Sequence, residues 1–309
     1  FKQKTAYEIG VRLVGSEMCI RDRLDRDLTV RFVRSLQKKS FKARDYQIDA
    51  IDYLLESDRG LILSPTGSGK SFIIYALTRY FVEKLDHKKV LIVVPTTSLV
   101  EQMYSDFADY GWFPDEHCHR IYAGSNKETS KEVVISTWQS IHRMPNKYFK
   151  QFGCVFGDEA HLFKAKSLTG IMTKLHQCKY RFGLTGTLDD TQTHRLVLDG
   201  LFGKSKYVIT TKELTDNKTL ANLQIECITL IYPKEDRQIV KDFDYASELE
   251  YIVTKIERNT FLLGLMERLD GNTLCLFQFV EKHGKILHDL MKDLDRPIFF
   301  VYGLSLIHI

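Results

Sequence analysis

The sequence predicts an α/β fold in which a parallel β-sheet is covered by helices on both faces. Three observations carry this prediction: short apolar runs alternate with longer amphipathic segments, a glycine-rich loop joins the first run to a helix, and two carboxylates follow a later run. Apolar runs of this kind are typical of strands buried on both faces, and their alternation with helices is typical of a parallel sheet.

Five short apolar runs follow one another along the first two thirds of the chain. They predict the strands Leu61–Ser64, Val90–Val94, Val133–Ser136, Cys154–Gly157 and Tyr180–Leu184. Between the first two, apolar residues recur at helical spacing in Lys70–Leu85, which predicts a helix. The order strand, helix, strand indicates a βαβ unit, so we expect a first domain over residues 24–205.

The remainder of the chain predicts a linker and the start of a second α/β domain. Residues 206–222 are polar and read as the linker, and residues 244–270 read as helical. The second domain covers residues 223–303. Besides the helical region it is predicted to contain strands at Leu223–Tyr232, Thr273–Phe279 and Pro297–Tyr302 and a helix at Glu281–Leu294. We expect this domain to be truncated after its second parallel strand.

Composition narrows the class of protein. A chain of 309 residues with 44% hydrophobic and 27% charged residues fits two globular domains of about 150 residues each. The net charge of +4 permits a nucleic-acid partner but does not demand one. No apolar stretch is long enough to span a membrane, so we expect no membrane partner. Six cysteines without a C-x-x-C pair favour reduced thiols and a cytoplasmic location.

The glycine-rich loop Ser64–Ser71 reads S-P-T-G-S-G-K-S and lies between a predicted strand and a predicted helix. This context is typical of a P-loop, in which backbone N–H groups and a helix N-terminus surround phosphate. Gly67 and Gly69 allow the close approach, Lys70 reaches the β- and γ-phosphates, and Ser71 ligates Mg²⁺. We therefore expect ATP and Mg²⁺ to bind here, with Thr66 and Ser68 completing the loop.

The tetrapeptide Asp158-Glu159-Ala160-His161 follows the fourth predicted strand. A strand-end Asp158 can hold Mg²⁺ through water, and the adjacent Glu159 can orient or deprotonate the attacking water. The carboxyl ends of parallel strands meet at one edge of a sheet. We therefore expect Asp158 and Glu159 to lie near Lys70 as catalytic groups.

Together these motifs resemble motifs I and II of superfamily 2 helicases of the DEAD/DEAH type, whose motors contain two RecA-like domains. The other motifs of that family follow in order as Arg44–Gln47, Pro95–Leu99 with Gln102, Ser136–Ser140 and Thr185–Thr187. The resemblance implies that Gln47 reads the adenine base. It implies nucleic-acid contacts for Pro95, Thr96, Thr97, Thr137 and Gln139. It assigns the coupling of hydrolysis to movement to His161, Thr185, Gly186 and Thr187.

A more specific resemblance is to the UvsW-type recombination helicases of tailed phages. Its matching segments are residues 94–110, 136–141, 151–153, 182–188 and 283–291. This family is implied to unwind and branch-migrate DNA with 3′→5′ polarity, which would place the protein in the host cytoplasm. An RNA substrate stays open, and so does the oligomeric state.

The two ends of the chain, residues 1–23 and 304–309, resemble peptides translated from sequencing-adapter DNA. We expect them to be non-native, with the natural protein continuing beyond both. Motors of this family take arginines from a Q-x-x-G-R-x-x-R motif that stabilise the transferring phosphoryl group. The sequence contains no such motif. We therefore expect the 309-residue chain itself to bind ATP weakly, to hydrolyse little and not to unwind DNA.

Two alternative functions stay open: an ATP-dependent clamp that binds nucleic acid without unwinding it, and the motor subunit of a restriction or remodelling complex. Strand displacement separates the clamp from the helicase. Single residues also have a second interpretation. Thr96, Thr97 and Thr137 are suited to capping helices, and Trp138 is suited either to the core or to stacking on a base.

Overall fold

The computed structural model describes residues 26–36, 41–85, 87–122, 124–164, 166–187 and 192–302. The ends expected to be non-native lie outside the described residues. The chain divides into two compact units, the first ending at Leu223 and the second beginning at Gln224. No described helix is both long enough and apolar enough to cross a membrane.

The first unit is built on a parallel sheet of seven strands in the order β3-β4-β2-β5-β6-β1-β7. The strands are β1 Arg59–Leu63, β2 Lys89–Val94, β3 Cys118–Ile121, β4 Val133–Thr137, β5 Phe152–Asp158, β6 Tyr180–Thr185 and β7 Ser205–Tyr207. All five predicted strands are confirmed, while β3 and β7 at the two edges were not predicted. Strand β6 separates β1 from β5, so the loop after β1 and the carboxylates after β5 lie two strands apart.

The helices of the first unit cover both faces of this sheet. In chain order they are α1 Arg26–Ser35, α2 Asp45–Leu55, α3 Lys70–Lys84, α4 Thr97–Asp109, α5 Pro114–His117, α6 Trp138–Ile141, α7 Asn146–Phe149, a 3₁₀ helix Ala160–Lys164, α8 Lys166–Lys174, α9 Gln192–Phe202 and α10 Thr211–Asp216. The predicted helix Lys70–Leu85 is confirmed as α3. The predicted α/β class with a parallel sheet covered on both faces is therefore confirmed.

Two apolar cores lie on opposite faces of the sheet because side chains alternate along each strand. On β1, Ile62 points into the core beneath α1 to α4, which also contains Phe72 of α3. Its neighbours Leu61 and Leu63 point into the other core, beneath α6 to α9. Burying one such side chain contributes about 1.5–3 kcal/mol, so strands buried on both faces hold the sheet firmly.

The segment at 206–222 differs from the linker that the sequence predicts. Ser205–Tyr207 forms β7, which pairs with β1 in parallel, and Leu214 of α10 is fully buried. A Cβ at Gly67 would lie 2.6 Å from a methyl carbon of Leu220, so the chain after α10 returns to the glycine-rich loop. The first unit therefore extends beyond residue 205, because one edge of its sheet and part of its core come from this segment.

The second unit is helical in its described residues. Its elements are α11 Lys234–Ile239, a 3₁₀ helix Val240–Asp242, α12 Tyr245–Thr254, α13 Ile256–Arg268, a π-helix Val280–Gly284 and α14 Lys285–Met291. The helical prediction for 244–270 is confirmed, and Glu281–Leu294 is helical over most of its length. An ion pair of 2.8 Å between Lys255 and Asp236 ties α11 to the start of α13.

The three strands predicted for the second unit are wrong: none of its described residues belongs to a β-strand. Alternating apolar residues suggested Leu223–Tyr232, yet Leu223, Ile225 and Ile231 are 84%, 75% and 87% exposed. A strand needs a partner for its backbone groups as well as an alternating pattern. The other two segments approach each other through stacked rings of Phe277 and Phe300, 5.3 Å apart, without forming a ladder.

Candidate active site

The glycine-rich loop after β1 has the backbone that its two glycines permit. Gly67 and Gly69 have φ angles of 80° and 81°, in the left-handed region that favours glycine. The hydroxyl of Ser64 donates a 2.7 Å hydrogen bond to that of Ser68 across the turn, and both residues are buried. Thr66 and Gly67, at the tip of the loop, are exposed. Helix α3 begins at Lys70, directly after the loop.

Gln47 holds the loop from the side of α2. Its Nε2 donates to the carbonyl oxygen of Ser68 at 2.9 Å, and its Oε1 accepts from the backbone N–H of Arg44 at the same distance. Tyr46 donates a second hydrogen bond to Ser68, at 2.8 Å. Gln47 is 2% exposed, and both ends of its amide are hydrogen-bonded within the protein, which joins α2 to the loop. The structure therefore gives this residue a role in shaping the loop, in addition to the expected reading of adenine.

Lys70 and Ser71, the first residues of α3, face a cleft. The ammonium group of Lys70 donates a 3.3 Å hydrogen bond to the carbonyl oxygen of Ser64. Gly186, after β6, lies on the other side of the loop: its missing Cβ would be 3.5 Å from the backbone nitrogen of Thr66 and 3.7 Å from Nζ of Lys70. The cleft therefore has a cation at its base and backbone amides around it, which suits a chain of phosphates.

Asp158 is the last residue of β5 and lines the same cleft as Lys70 and Ser71. Burial raises the pKa of Asp158 to about 6; the charge of Glu159 adds to the rise, and that of Lys70 opposes it. Within the described part of the chain, Oδ1 of Asp158 is buried without a hydrogen-bond partner. A buried carboxylate oxygen is costly unless it meets a cation or a bound water. Asp158 and Ser71 therefore fit the hard oxygen ligands that Mg²⁺ prefers.

His161, Thr185 and Thr187, which are expected to couple hydrolysis to movement, are joined by hydrogen bonds beside Glu159. Nδ1 of His161 lies 2.8 Å from Oγ1 of Thr185 and 3.3 Å from a carboxylate oxygen of Glu159. Oγ1 of Thr185 donates to the carbonyl oxygen of Thr187 at 2.9 Å. Because the Thr185 proton is used in that bond, His161 is the donor towards Thr185. The structure thus brings together the ends of β5 and β6.

The residues expected to contact nucleic acid lie at the ends of β2 and β4, which are neighbours in the sheet. Val94 and Thr137 pair across the two strands, and Nε2 of Gln139 donates to the carbonyl oxygen of Pro95 at 3.3 Å. Thr97 and Gln139 are exposed. These residues lie at the same edge of the sheet as the cleft, because all the strands run in parallel.

Three residues on this surface have structural roles that the sequence left open. The side chain of Thr96 accepts a hydrogen bond from the backbone N–H of Leu99 at 3.3 Å, so Thr96 caps α4. Thr137 is 5% exposed, and its hydroxyl lies 2.9 Å from that of Ser140. Trp138 is half-buried and packs against the core beneath α6 to α9. These contacts favour a core position for Trp138 over stacking on a base. Thr96 is exposed, so it can cap α4 and also contact nucleic acid.

Three residues of the cleft region were not predicted as site residues: Gln102, Asp106 and Tyr110. The first two line the cleft, and the hydroxyl of Tyr110 lies 2.9 Å from that of Ser71. Their spacing of four residues places them on one face of α4. The spacing of these polar residues can be seen in the sequence and predicts that they share one face of a helix. That this face is turned towards the glycine-rich loop depends on the packing of α4 beside α3.

Comparison with known proteins identifies a family for this arrangement. Residues 40–190 match the family model described as type III restriction enzyme, res subunit. These residues contain the glycine-rich loop, the Asp158–Glu159 pair and the Thr185–Thr187 segment.

Individual relatives agree with that match. The chain is 35% identical over 265 residues to the ATP-dependent DNA helicase uvsW of Enterobacteria phage T4, a match that covers 84% of this chain and 52% of the relative. It is 27% identical over 203 residues to the DNA 3′-5′ translocase XPB2 of Sulfurisphaera tokodaii, covering 66% of this chain and 44% of that protein. The chain thus spans about half the length of the curated relatives it matches.

A solved structure gives the same result. The crystal structure of the UvsW helicase from bacteriophage T4 matches with a TM-score of 0.55 and 34% identity, covering 60% of this chain and 69% of that one. At this identity the likeness extends beyond the fold.

Proposed function

Since this chain belongs to the superfamily 2 helicases of the UvsW type, we propose that the complete protein is an ATP-dependent DNA helicase or translocase. It hydrolyses ATP to unwind or branch-migrate DNA in recombination and repair, and it acts in the cytoplasm of a host cell. The observation that carries the proposal is the meeting, at one edge of the sheet, of the Lys70 cleft, the carboxylates after β5 and the residues after β6.

The cleft binds the triphosphate of ATP by charge and by backbone dipoles. The N-terminus of α3 and the amides of the glycine-rich loop stabilise the anion, and Lys70 supplies a full positive charge. Asp158 and Ser71 would hold Mg²⁺, which would neutralise charge that develops in phosphoryl transfer. Because Asp158 is buried away from water, its electrostatic interactions in the cleft are stronger than they would be at an exposed position.

Glu159 prepares the water that attacks the γ-phosphate. It follows Asp158 directly and has a φ of 49°, a left-handed conformation that is unusual for a residue with a side chain. Nδ1 of His161 lies 3.3 Å from its carboxylate, so the two side chains are in contact. A strained backbone held by neighbouring contacts is typical of catalytic positions. We assign to Glu159 the general base and to His161 its orientation.

The exposed hydroxyl and amide groups at the ends of β2 and β4 bind the sugar-phosphate backbone of the tracking strand. Thr96, Thr97 and Gln139 carry exposed hydroxyl and amide groups of the kind that hydrogen-bond to phosphate oxygens, and phosphate contacts carry no sequence information. Binding is therefore independent of sequence. These groups lie beside the cleft at one edge of the sheet, so DNA and ATP are bound by neighbouring loops.

Strand displacement by the complete protein tests this function. With a forked DNA duplex, ATP and Mg²⁺, we expect displacement of the labelled strand, and with Glu159→Gln we expect none. ATP-dependent retention of DNA without displacement would replace the helicase by the clamp. Displacement of an RNA duplex at an equal rate would contradict the preference for DNA.

A further inference from the structure

Residues 133–187, from β4 to the segment after β6, are more basic than the chain as a whole. They contain eight lysine and arginine residues and only two acidic residues, Asp158 and Glu159, whereas the whole chain has a net charge of +4. Both acidic residues belong to the site described above. The other parts of this segment therefore carry positive charge with no acidic side chain of the same segment to balance it.

Three of these basic residues, Arg143, Lys147 and Lys150, lie between β4 and β5, and we call them the basic face. All three are exposed. Within the part of the chain that the structure describes, none of them forms an ion pair or a side-chain hydrogen bond. Exposed cations without acidic partners create a positive potential that attracts phosphate groups.

The basic face follows a path across the sheet that starts beside the proposed DNA contacts. Strand β4 ends at Thr137 and β5 begins at Phe152, and the strands are parallel, so the chain between them returns from one edge of the sheet to the other. The seven residues of β5 give this path a length of about 20 Å. Duplex DNA rises about 3.4 Å per base pair, so the path matches about six base pairs.

The backbone that carries the basic face is held by the rest of the first unit. Lys174 of α8 donates hydrogen bonds to the carbonyl oxygens of His142 at 2.7 Å and Met144 at 2.8 Å, on either side of Arg143. Phe149, at the end of α7, is buried in the core. Only the exposed side chains of the basic face therefore lose freedom when they bind a ligand, which keeps the entropic cost of binding low.

The surroundings of the basic face fit a duplex better than a single strand. Proteins that bind single strands usually combine a basic groove with aromatic rings on which the bases stack. None of the phenylalanine, tyrosine and tryptophan rings that the structure describes in residues 133–187 is exposed. Trp138, at the start of α6, packs against the core. Lysine and arginine without exposed rings suit contacts to phosphate alone, which a duplex presents along its outer surface.

We propose that the basic face binds the phosphate backbone of a duplex arm of the DNA substrate, next to the strand bound at the ends of β2 and β4. The proposal rests on the function proposed above, in which DNA binds at those strand ends, and it names the class of substrate. A forked or branched DNA contacts both surfaces at once, whereas a single strand contacts only the first. Phosphate contacts of this kind position the duplex without reading its sequence.

The salt dependence of DNA binding tests the proposal. Fluorescence anisotropy measures the affinity of the 309-residue chain for a forked duplex with a single-stranded tail, and for the tail strand alone, at increasing salt. The test variant combines Arg143→Gln, Lys147→Gln and Lys150→Gln. The matched control combines Arg34→Gln, Lys127→Gln and Lys212→Gln, which remove the same types of charge from exposed positions outside residues 133–187. Circular dichroism and thermal melting establish that each variant is folded.

For the test variant we expect the slope of log affinity against log salt to become less steep by about 1 for each lost phosphate contact, about 3 in total, with the forked duplex. We expect the slope for the single strand to stay unchanged, and the control to match the wild type with both DNAs. Should the combined variant fail to fold, Lys147→Gln alone carries the test, with an expected change of about 1.

An unchanged slope with the forked duplex in the folded test variant overturns the proposal. An equal change with the single strand also overturns it, because the basic face would then bind the tracking strand. In both cases the wild type still binds DNA, so the proposed function stands. If the wild-type chain binds neither DNA, the proposed DNA interface fails, and this inference with it.

Discussion

Nδ1 of His161 donates a 2.8 Å hydrogen bond to Oγ1 of Thr185. The two residues come from separate strand ends, His161 from the turn after β5 and Thr185 from the last position of β6. His161 also touches the carboxylate of Glu159, and Thr185 also holds the carbonyl oxygen of Thr187. The Glu159 carboxylate is therefore connected to the segment after β6 by its contact with His161 and by two hydrogen bonds of Thr185.

Replacing Thr185 by valine removes this connection and keeps the shape of the side chain. We expect ATP binding to persist, while DNA unwinding per ATP hydrolysed falls in the complete protein. The valine removes the two hydrogen bonds of the Thr185 hydroxyl, each of which contributes about 0.5–1.5 kcal/mol, so we expect the free energy of unfolding to fall by about 1–3 kcal/mol. The measurement is the ratio of strands displaced to phosphate released. Thr173→Val, at an exposed position on α8, is the control, and an unchanged ratio for Thr185→Val would count against coupling through this residue.

Glu159→Gln separates binding from hydrolysis. The amide cannot deprotonate water, yet Asp158 and Ser71 remain to hold the metal, so ATP binding should match that of the wild type. We expect ATP turnover in the complete protein to fall by about 10²–10⁴-fold, the usual contribution of a general base. Turnover is measured as phosphate release with DNA present. Normal hydrolysis by this variant would remove Glu159 from its catalytic role.

Gly69→Ala tests the shape of the loop. A Cβ at this position would lie 2.3 Å from Nε2 of Gln47, and the φ of 81° is strained for any residue with a side chain. We expect a loss of nucleotide binding and a decrease of about 1–3 kcal/mol in the free energy of unfolding. Gly170→Ala is the control, because a Cβ there meets no atom within 4 Å. Nucleotide affinity is measured by titration calorimetry and stability by thermal melting. Wild-type affinity and stability in Gly69→Ala would show that the loop does not need a glycine at this position.

DNA binding should weaken steeply with salt and depend little on sequence. The expected contacts are directed at phosphate, which carries no sequence information, and the net charge of +4 allows basic side chains to neutralise phosphates and release their counterions. Fluorescence anisotropy with several unrelated oligonucleotides at increasing salt measures both properties. We expect parallel lines of log affinity against log salt for all of them. One sequence with a distinctly higher affinity would mean that bases are read.

The core of the first unit was predictable because each strand is buried on both faces and has its own local pattern. Strand β3 was not, since His119 and Arg120 make it look polar, and only its place at the edge of the sheet explains that composition. Strand β7 has three residues and exists only through its pairing with β1. For the second unit the error is the reverse: the sequence predicts strands that the structure does not contain. The alternating apolar residues of Leu223–Tyr232 indicate a strand, but a local pattern cannot show whether a partner strand is present.

The site divides in the same way. Lys70, Asp158 and Glu159 lie in motifs made of consecutive residues, so these residues could be located from the sequence. The contacts of Gln47 with Ser68 and of Tyr110 with Ser71 join elements far apart in the chain and depend on how α2 and α4 pack.

The most direct test of the whole account is calorimetric titration of the 309-residue chain with ATP in the presence of Mg²⁺, for the wild type and for Lys70→Ala. Lys70 supplies the positive charge at the base of the cleft, where phosphate replaces its hydrogen bond to Ser64. We expect one ATP-binding site in the wild type and none in Lys70→Ala, with both proteins folded by circular dichroism. Equal ATP affinity in the two proteins would show that the glycine-rich loop does not bind the triphosphate.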